Sequence, residues 1–407
     1  MSNPVTGNCR RCGKTPKIII DGLDLFNPNF LGVTVMHRVA ISSTGLYIPP
    51  DVISNEELVA AFNCFADQEN ATHAADIAAG TRQPIPQSSV EFIVKASGIK
   101  QRYVMDKTGV LDPQRMRPRL QARSDNELSL MAEIGVAAAR DALTRAGKQP
   151  EDIDGVICAA ANMQRAYPAM AIEIQTALGI QGFAFDMNVA CSSATFAIEM
   201  AVNAVKTGSA RAILVVDPEI TSSHLAWKDR DCHFIFGDVC TAILIERLDR
   251  APAGAFEVMG TRLLTTFSNN IRNNAGFMSR SEDRNPQDRD QLFCQEGRKV
   301  FKEVCPMAAE HISQHLAAHD LAPTDVRRFW LHQANLAMNQ LIGRKLLGRD
   351  ATADDAPVIL DEFANTASAG SIIAFHRHHD DIKAGEVGVI CSFGAGYSIG
   401  SVLVRRT

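Results

Sequence analysis

The feature that most constrains this chain is that it repeats itself. AAARDALTRAGKQPEDIDGVICAAAN runs to Asn162, and MAAEHISQHLAAHDLAPTDVRRFWLHQAN runs to Asn335. Each reads as an amphipathic helix, then proline with an acidic or Thr-Asp pair, a β-branched residue, a buried strand and a closing Asn. The interval from Pro150 to Asn162 equals that from Pro323 to Asn335. A second helix then stops at Leu-Gly in both copies, Leu178-Gly179 and Leu347-Gly348, glycine being the usual residue just past a helix end. FAFDMNVACSSA next stands opposite PVILDEFANTASA. Strand patterns close both halves: ARAILVV with HFIFGDVCTAILIE in the first, GEVGVICSFGAGYSIGSVLV in the second. A repeat of this kind means two α/β units of one plan, strands and helices in layers. Packed about a pseudo-twofold axis, the loops at Cys191 and Asn365 become counterparts, and the strand end at His332 is carried towards both.

Cys191 sits in DMNVACSSATFAI, between a strand pattern and SSATFAIEMAVNAVKTG, whose apolar residues fall at helical spacing. A strand-to-helix turn offers unpaired N–H groups and the positive end of a helix dipole, a setting expected to favour thiolate. That suits a nucleophile, although a free cysteine is equally well a small buried hydrophobe. From this segment alone both readings stand. A nucleophilic thiol would need a proton-handling base and oxyanion donors. His332 in WLHQAN, Asn365 in FANTASAG and the glycine-rich SFGAGYSIG are candidates. Each alone reads as an ordinary core histidine, turn former or hairpin. Their placement at matching points of the duplication joins them.

Composition narrows the partners. With 407 residues, 46% hydrophobic and 21% charged, the chain is an ordinary globular protein. It lacks an uninterrupted apolar run of about 18 residues, so no membrane span is expected, and the N-terminus lacks the basic-then-apolar layout of a signal peptide. A net charge of -5 gives no footprint for nucleic acid. Scattered cysteines such as Cys64, Cys158, Cys240 and Cys305 suggest free thiols in a reducing cytoplasm. Cys9 and Cys12 form one CxxC without the further ligands zinc requires, and HRHHD at His376 to Asp380 reads as a solvated helix face, so no metal site is expected. Residues 1–35 read as an N-terminal extension. The first half then spans 36–250, with a polar insertion of short helices and loops at about 54–125, and the second half spans 251–407.

Seven ordered motifs from Met36 onward, STGLYIPPDVISNEEL, EFIVKASGIKQR, FDMNVACSSATF, DRDCHFIFGD, LHQAN, ANTASAG and FGAGYSIGSVLVR, resemble the β-ketoacyl-acyl-carrier-protein synthase III family of the thiolase superfamily. The resemblance implies a thiolase-like, duplicated five-layered αβαβα fold, usually a homodimer. It implies Cys191 as the acyl-accepting nucleophile and His332 with Asn365 as the pair assisting malonyl decarboxylation. Backbone N–H groups of Cys191 and Ala395 are the implied oxyanion hole. No cofactor is implied; acyl-CoA is a substrate and malonyl-acyl carrier protein the partner. For coenzyme A, Phe92 stands where the family commonly has an adenine-stacking Trp. Arg230 matches a nucleotide-holding position and Asn335 a pantetheine-side contact. Ala96 and Ala337 stand where the family often has Arg, and Ala364 replaces a Gly. Fewer cations weaken phosphate attraction, and the insertion before Phe92 is expected to cap a longer acyl chain, so a medium-chain primer is expected.

Rival readings are a head-to-head acyl-CoA condensing enzyme making long-chain β-ketoacids and a non-catalytic acyl-binding relative. A thiolase would need a second cysteine at the C-terminal glycine loop. Cys391 in ICSFGAG is one residue out of register and is expected to face the core. A hydroxymethylglutaryl-CoA synthase would need a catalytic glutamate, which the sequence does not place.

Overall fold

Pro150 and Pro323 sit where the repeat puts them, each opening a 3-10 turn that delivers the chain into a buried strand. The computed structural model describes residues 36–124, 126–281 and 285–407. Cys9, Cys12 and the expected extension lie outside the described residues. The first half contains β1 (Val39–Tyr47), β2 (Asp51–Ser54), α1 (Asn55–Thr72), α2 (Ala74–Ala78), α3 (Val90–Ser97), β3 (Gln101–Val104) and α4 (Lys107–Val110). It continues through α5 (Leu130–Ala146), β4 (Gly155–Ala159), α6 (Met170–Leu178), β5 (Phe183–Met187), α7 (Ser193–Lys206), β6 (Ala212–Glu219) and β7 (Val239–Arg247). The second half runs β8 (Phe256–Ser268), β9 (Ile271–Arg272), β10 (Cys294–Gln295), α8 (Gly297–Ala317), β11 (Val326–Leu331), α9 (Leu336–Leu347), α10 (Leu360–Phe363), α11 (Ala369–Arg377), β12 (Val387–Gly394) and β13 (Gly396–Arg406).

Nine strands are hydrogen-bonded in the order β11-β12-β13-β8-β1-β7-β6-β4-β5. The repeat is visible in that order. Each half pairs its first strand with its last and continues through its next-to-last to a parallel partner, β6 with β4 and β12 with β11. Within the sheet the two halves are joined where β1 pairs with β8, through Ala40–Glu257 and Ile41–Phe256. The match fails at PVIL, which is not a strand although its counterpart FAFDM is β5. Pro357 has no N–H for a ladder, and the Gln333 side chain takes the ladder's place. Its Nε2–H groups donate to Leu331 O and Pro357 O, and its Oε1 accepts the Ile359 N–H.

Three apolar clusters define the layering. Residues of α5 and α6 pack on one face of β4, β6 and β7. Those of α8 and α9 pack on β11, β12 and β13. Helices α7 and α11 fill the centre, between the inner faces of both halves. Ala194, Ala197 and Ala201 on α7 are small enough for close approach there, while Ile198 and Val205 are fully buried, each stabilising by about 1.5–3 kcal/mol. The result is a helix, sheet, helix, sheet, helix stack whose central helices both begin at the loops singled out above.

The insertion is more regular than expected, because α1 is one 18-residue helix rather than several short ones. Its start carries a reciprocal cap between Ser54 and Glu57. Farther along, Asn63 exchanges two hydrogen bonds with the backbone of Ser88, and Asn70 does the same with Ile85. Seven helical residues rise about 10.5 Å and three extended ones span about 10 Å. The two amides therefore hold the segment before α3 flat along the helix.

Candidate active site

Cys191 lies in a 3-10 turn, Ala190–Ser192, that feeds directly into α7. Ala190 takes a positive φ of 46°, an uncommon backbone state for a residue with a side chain. The turn holds because Asn188 Oδ1 accepts the Ala190 N–H at 2.9 Å and Ser193 Oγ accepts the Val189 N–H at 2.8 Å. Gly394, at the end of β12, passes so close that a Cβ there would stand 2.5 Å from Cys191 Cβ. The thiol is not in the state expected from its helix terminus. Burial, followed by the charge of Glu219, pushes it up to about 12. N–H groups of Ala395 and Cys191 point at the sulfur and oppose this shift, but desolvation outweighs them.

His332 follows β11, its N–H bonded to Cys391 O at 2.8 Å. The ring is buried edge-on against Phe393, centroids 5.2 Å apart. Burial lowers its pKa to about 3, so it is neutral at ordinary pH. Nδ1 is buried without a partner. A buried orphan N–H is rarer and costlier than an under-used acceptor, which assigns the ring proton to Nε2. Asn365 is pinned beside Phe236: its N–H donates to Ile235 O at 2.9 Å and its carbonyl accepts from Gly237 N–H at 3.1 Å. Its Oδ1 accepts the Ala367 N–H, leaving the NH₂ as its available donor. Ala364 just before it has φ 59° and ψ -161°, a region nearly confined to glycine. The Gly-to-Ala departure is thus carried as backbone strain.

Cys191, His332 and Asn365 line one cavity of about 830 Å³, with Phe92, Asn335, Ala96, Ala337, Phe393 and Gly394. Much of the remaining wall is apolar: Phe234, Phe236, Phe293, Val300, Phe301 and Met338. HFIFGD, expected to belong to the following strand, precedes β7 as a loop and supplies two of these phenylalanines. Arg289 and Arg298 also line the cavity. Sequence reading missed both, and Arg289 is tied to Asp229. Arg230 is not in the lining. Its guanidinium lies 3.8 Å from the Phe92 ring centroid and its Nε–H donates to Gln87 O at 2.6 Å. The stacking face of Phe92 is therefore occupied by Arg230. Asn335 caps α9 through Oδ1 and donates to Ala96 O at 2.6 Å, so both ends of its amide are engaged. Cys391 is fully buried and packs in the α8 and α9 cluster.

The histidine cluster at 376–379 corrects the expectation of a solvated face. His376 Nδ1 is 2.8 Å from Thr44 Oγ1 and His379 stacks on Phe375 with centroids 4.9 Å apart. The carbonyl of His378 accepts from Arg328 and Trp330. These residues seal the end of α11 against the sheet. Among the described residues, no group of three or more His, Cys, Asp or Glu side chains could hold a metal ion, and no helix is long and apolar enough to cross a membrane.

Comparison with known proteins bears on the family and the fold. The family model described as 3-oxoacyl-[acyl-carrier-protein (ACP)] synthase III matches residues 185–263, and that for its C terminal matches residues 316–406. The chain is 61% identical over 347 residues to the beta-ketodecanoyl-[acyl-carrier-protein] synthase of Pseudomonas aeruginosa, covering 85% of this chain and 99% of that protein. It is 28% identical over 375 residues to the beta-ketoacyl-[acyl-carrier-protein] synthase III of Ehrlichia canis, covering 91% and 100%. The crystal structure of 3-oxoacyl-[acyl-carrier-protein] synthase III from Aquifex aeolicus superposes with a TM-score of 0.70 at 23% identity, covering 90% of this chain and 99% of that one; it speaks for the thiolase-like fold alone. A duplicated five-layered fold, the cavity at its centre and this sequence identity together mean that the chain belongs to the 3-oxoacyl-[acyl-carrier-protein] synthase III family.

Proposed function

We propose that this chain condenses a medium-chain acyl-CoA primer with malonyl-acyl carrier protein, releasing carbon dioxide and a β-ketoacyl-acyl carrier protein. One observation carries the reading: Cys191, a neutral His332 and Asn365, whose NH₂ is left to donate, line a single cavity. The Cys191 sulfur attacks the acyl-CoA carbonyl, and its proton leaves with the coenzyme A thiol. Loss of carbon dioxide from the malonyl thioester builds charge on the thioester oxygen. His332 Nε2–H and Asn365 Nδ2–H are neutral donors able to stabilise that enolate. The enolate carbon then attacks the acyl-Cys191 carbonyl, whose oxyanion is held by the N–H groups of Cys191 and Ala395; collapse of the adduct breaks the C–S bond, and the Cys191 thiolate released takes a proton from water. Neutrality of His332 matters, since a donor that stayed charged would be costly to keep in this buried site.

The primer follows from the relative at 61% identity. A β-ketodecanoyl product takes two of its ten carbons from malonyl, leaving eight for the primer, and the long apolar wall of the cavity suits such a chain. Phe92 lines the cavity with Arg230 over its ring, so an adenine stacking on that face would displace the guanidinium. The protein acts as a homodimer in the cytoplasm on this reading. Phe183 and Phe185, stacked on the sheet-edge strand β5, are 40% and 39% exposed, and the eight described cysteines are all free thiols.

Intact-mass measurement of Cys191 acylation over a series of acyl-CoA lengths tests the primer, and acetyl-CoA as the best donor would overturn it. Product formation that needs no malonyl donor would favour head-to-head condensation instead.

A further inference from the structure

Strand β6 is apolar until its end, where Asp217 and Glu219 are 0% and 1% exposed. Two positions apart on a strand, they share a face. Ile213 and Val215, earlier on that face, pack in the layer of α7 and α11. Glu219 Oε1 accepts the Ala161 N–H at 2.9 Å, the Ser368 N–H at 3.2 Å and the Ser368 hydroxyl at 2.8 Å. The same Ser368 oxygen lies 2.5 Å from Asp217 Oδ1, and Asp217 Oδ2 accepts the Thr241 hydroxyl at 3.3 Å.

A hydroxyl carries one hydrogen, yet Ser368 Oγ is within bonding distance of both carboxyls. One proton held on the carboxyl pair satisfies both contacts: one carboxyl donates to the Ser368 oxygen while the hydroxyl donates to the other. Burial, and for Glu219 also the neighbouring Asp217, favours that state by pushing both carboxyls well above their usual range.

From this pair, connections run to both of the loops that the duplication makes counterparts. Ser368 stands at the head of α11 three residues after Asn365, its hydroxyl turned to the carboxyls and not to the helix, with Ala367 between them at φ 47°. In the other direction, Ala161 O accepts from Asn188 Nδ2–H at 2.8 Å, and Asn188 Oδ1 accepts the Ala190 N–H at 2.9 Å. The Asn365 loop and the Cys191 turn thus both hang from Glu219.

We propose that Asp217 and Glu219, holding one proton between them, are positioning residues that register the Cys191 turn against the Asn365 loop, and that loss of this proton disables condensation. The inference rests on the acyl-transfer reading but concerns residues to which that reading gives no part. The titratable groups that feel the pair are Cys191 and, from the opposite face of the sheet, Cys158 of β4 and Cys240 of β7, with Asp186 of β5 acting on Cys158; burial keeps all three cysteines as thiols. When the proton leaves, Ser368 can satisfy only one of two anions, and the loop that runs from Asn365 to Ser368 loses its anchor.

Asp217→Asn places an amide N–H where a protonated carboxyl can stand and cannot ionise. It should retain malonyl-carrier decarboxylation within a few-fold and lose the alkaline fall in rate expected of wild type. Ser368→Ala, which leaves both carboxyls in place, should lower kcat for decarboxylation about tenfold or more with KM unchanged, and it decides the matter if Asp217→Asn does not fold. The double variant Asp217→Asn/Glu219→Gln removes the buried charge, so iodoacetamide alkylation of Cys191, read on its peptide, should rise about tenfold for a one-unit fall in thiol pKa. An alkaline limb identical in Asp217→Asn and wild type, wild-type kcat in Ser368→Ala, or unchanged alkylation in the double variant would each overturn the proposal. Alkylation needs no turnover, so a wild-type protein that fails to decarboxylate malonyl-carrier protein would count against the acyl-transfer reading while the alkylation still judges the pair.

Discussion

Replacing Gly394 with alanine adds one methyl group beside the Cys191 side chain. An ideal Cβ there would stand 2.5 Å from Cys191 Cβ and 3.1 Å from its Sγ. Favourable carbon contacts lie at about 3.5–4.0 Å, so one partner must retreat by about 1 Å. Neither is free to do so: Gly394 pairs with Ser398 across the β12–β13 hairpin, and Cys191 heads α7 through a turn already at positive φ. Gly394 itself is outside the left-handed region, so the effect is steric and not conformational. Misplacing reacting atoms by about 1 Å lowers rates by about 10², equivalent to about 2.7 kcal/mol of barrier. Overpacking costs stability by about 1–3 kcal/mol. The assay is the rate of octanoyl adduct formation from octanoyl-CoA by intact mass, run beside thermal melts to show that the variant is folded. Acylation by Gly394→Ala within twofold of wild type would refute the argument that this contact sets the thiol's position.

Four further outcomes are expected. Asn365→Ala should still form acyl-Cys191 but lose malonyl decarboxylation by about 10²–10³-fold; equal loss in both half-reactions would show that the amide does not act on the malonyl step alone. Arg230→Ala removes the cation over Phe92 and the bond to Gln87, so KM for acyl-CoA should change by about tenfold or less with kcat kept, whereas a pure loss of kcat would contradict a role in acyl-CoA binding. Asn63→Ala breaks two backbone bonds to Ser88 and should cost about 1–3 kcal/mol with faster proteolysis between residues 79 and 89; an unchanged melt would refute the staple. Finally, His332, His224 and His233 have pKa values lowered by burial to about 3, 4 and 4. An unfolded histidine titrates near about 6.5, so the stability tied to these neutral rings is complete above that pH and is lost as pH falls towards the folded values. His332 alone accounts for about 2 kcal/mol by pH 5, and a melting temperature constant from pH 7.5 to 5 would contradict it.

Much of the plan was legible because it was local. Helix stops at Gly179 and Gly348, prolines at Pro150 and Pro323, and the period of the apolar residues depend on a few neighbours each. The duplication then made Cys191, His332 and Asn365 a set before any distance was known. What misled was equally specific. PVIL has the composition of a strand, but the Gln333 side chain supplies the bonds a ladder would need. HRHHD is polar as written, yet Thr44 meets His376, and Phe375 and Phe256 pack on His379, while Arg377 and Asp380 stay exposed.

By itself the sequence determined two α/β units of one plan, the turn at Cys191 and the side-chain types facing each other across the duplication, because periodicity, chain punctuation and spacing are properties of neighbours. Only the tertiary structure decided the protonation of those groups and what lies against them. Desolvation holds Cys191 as a thiol and His332 as a neutral ring, Arg230 covers Phe92, and Asp217 meets Glu219 at Ser368. Each depends on how much water and which charges surround a group, and that is set by residues brought together from separate elements of the chain.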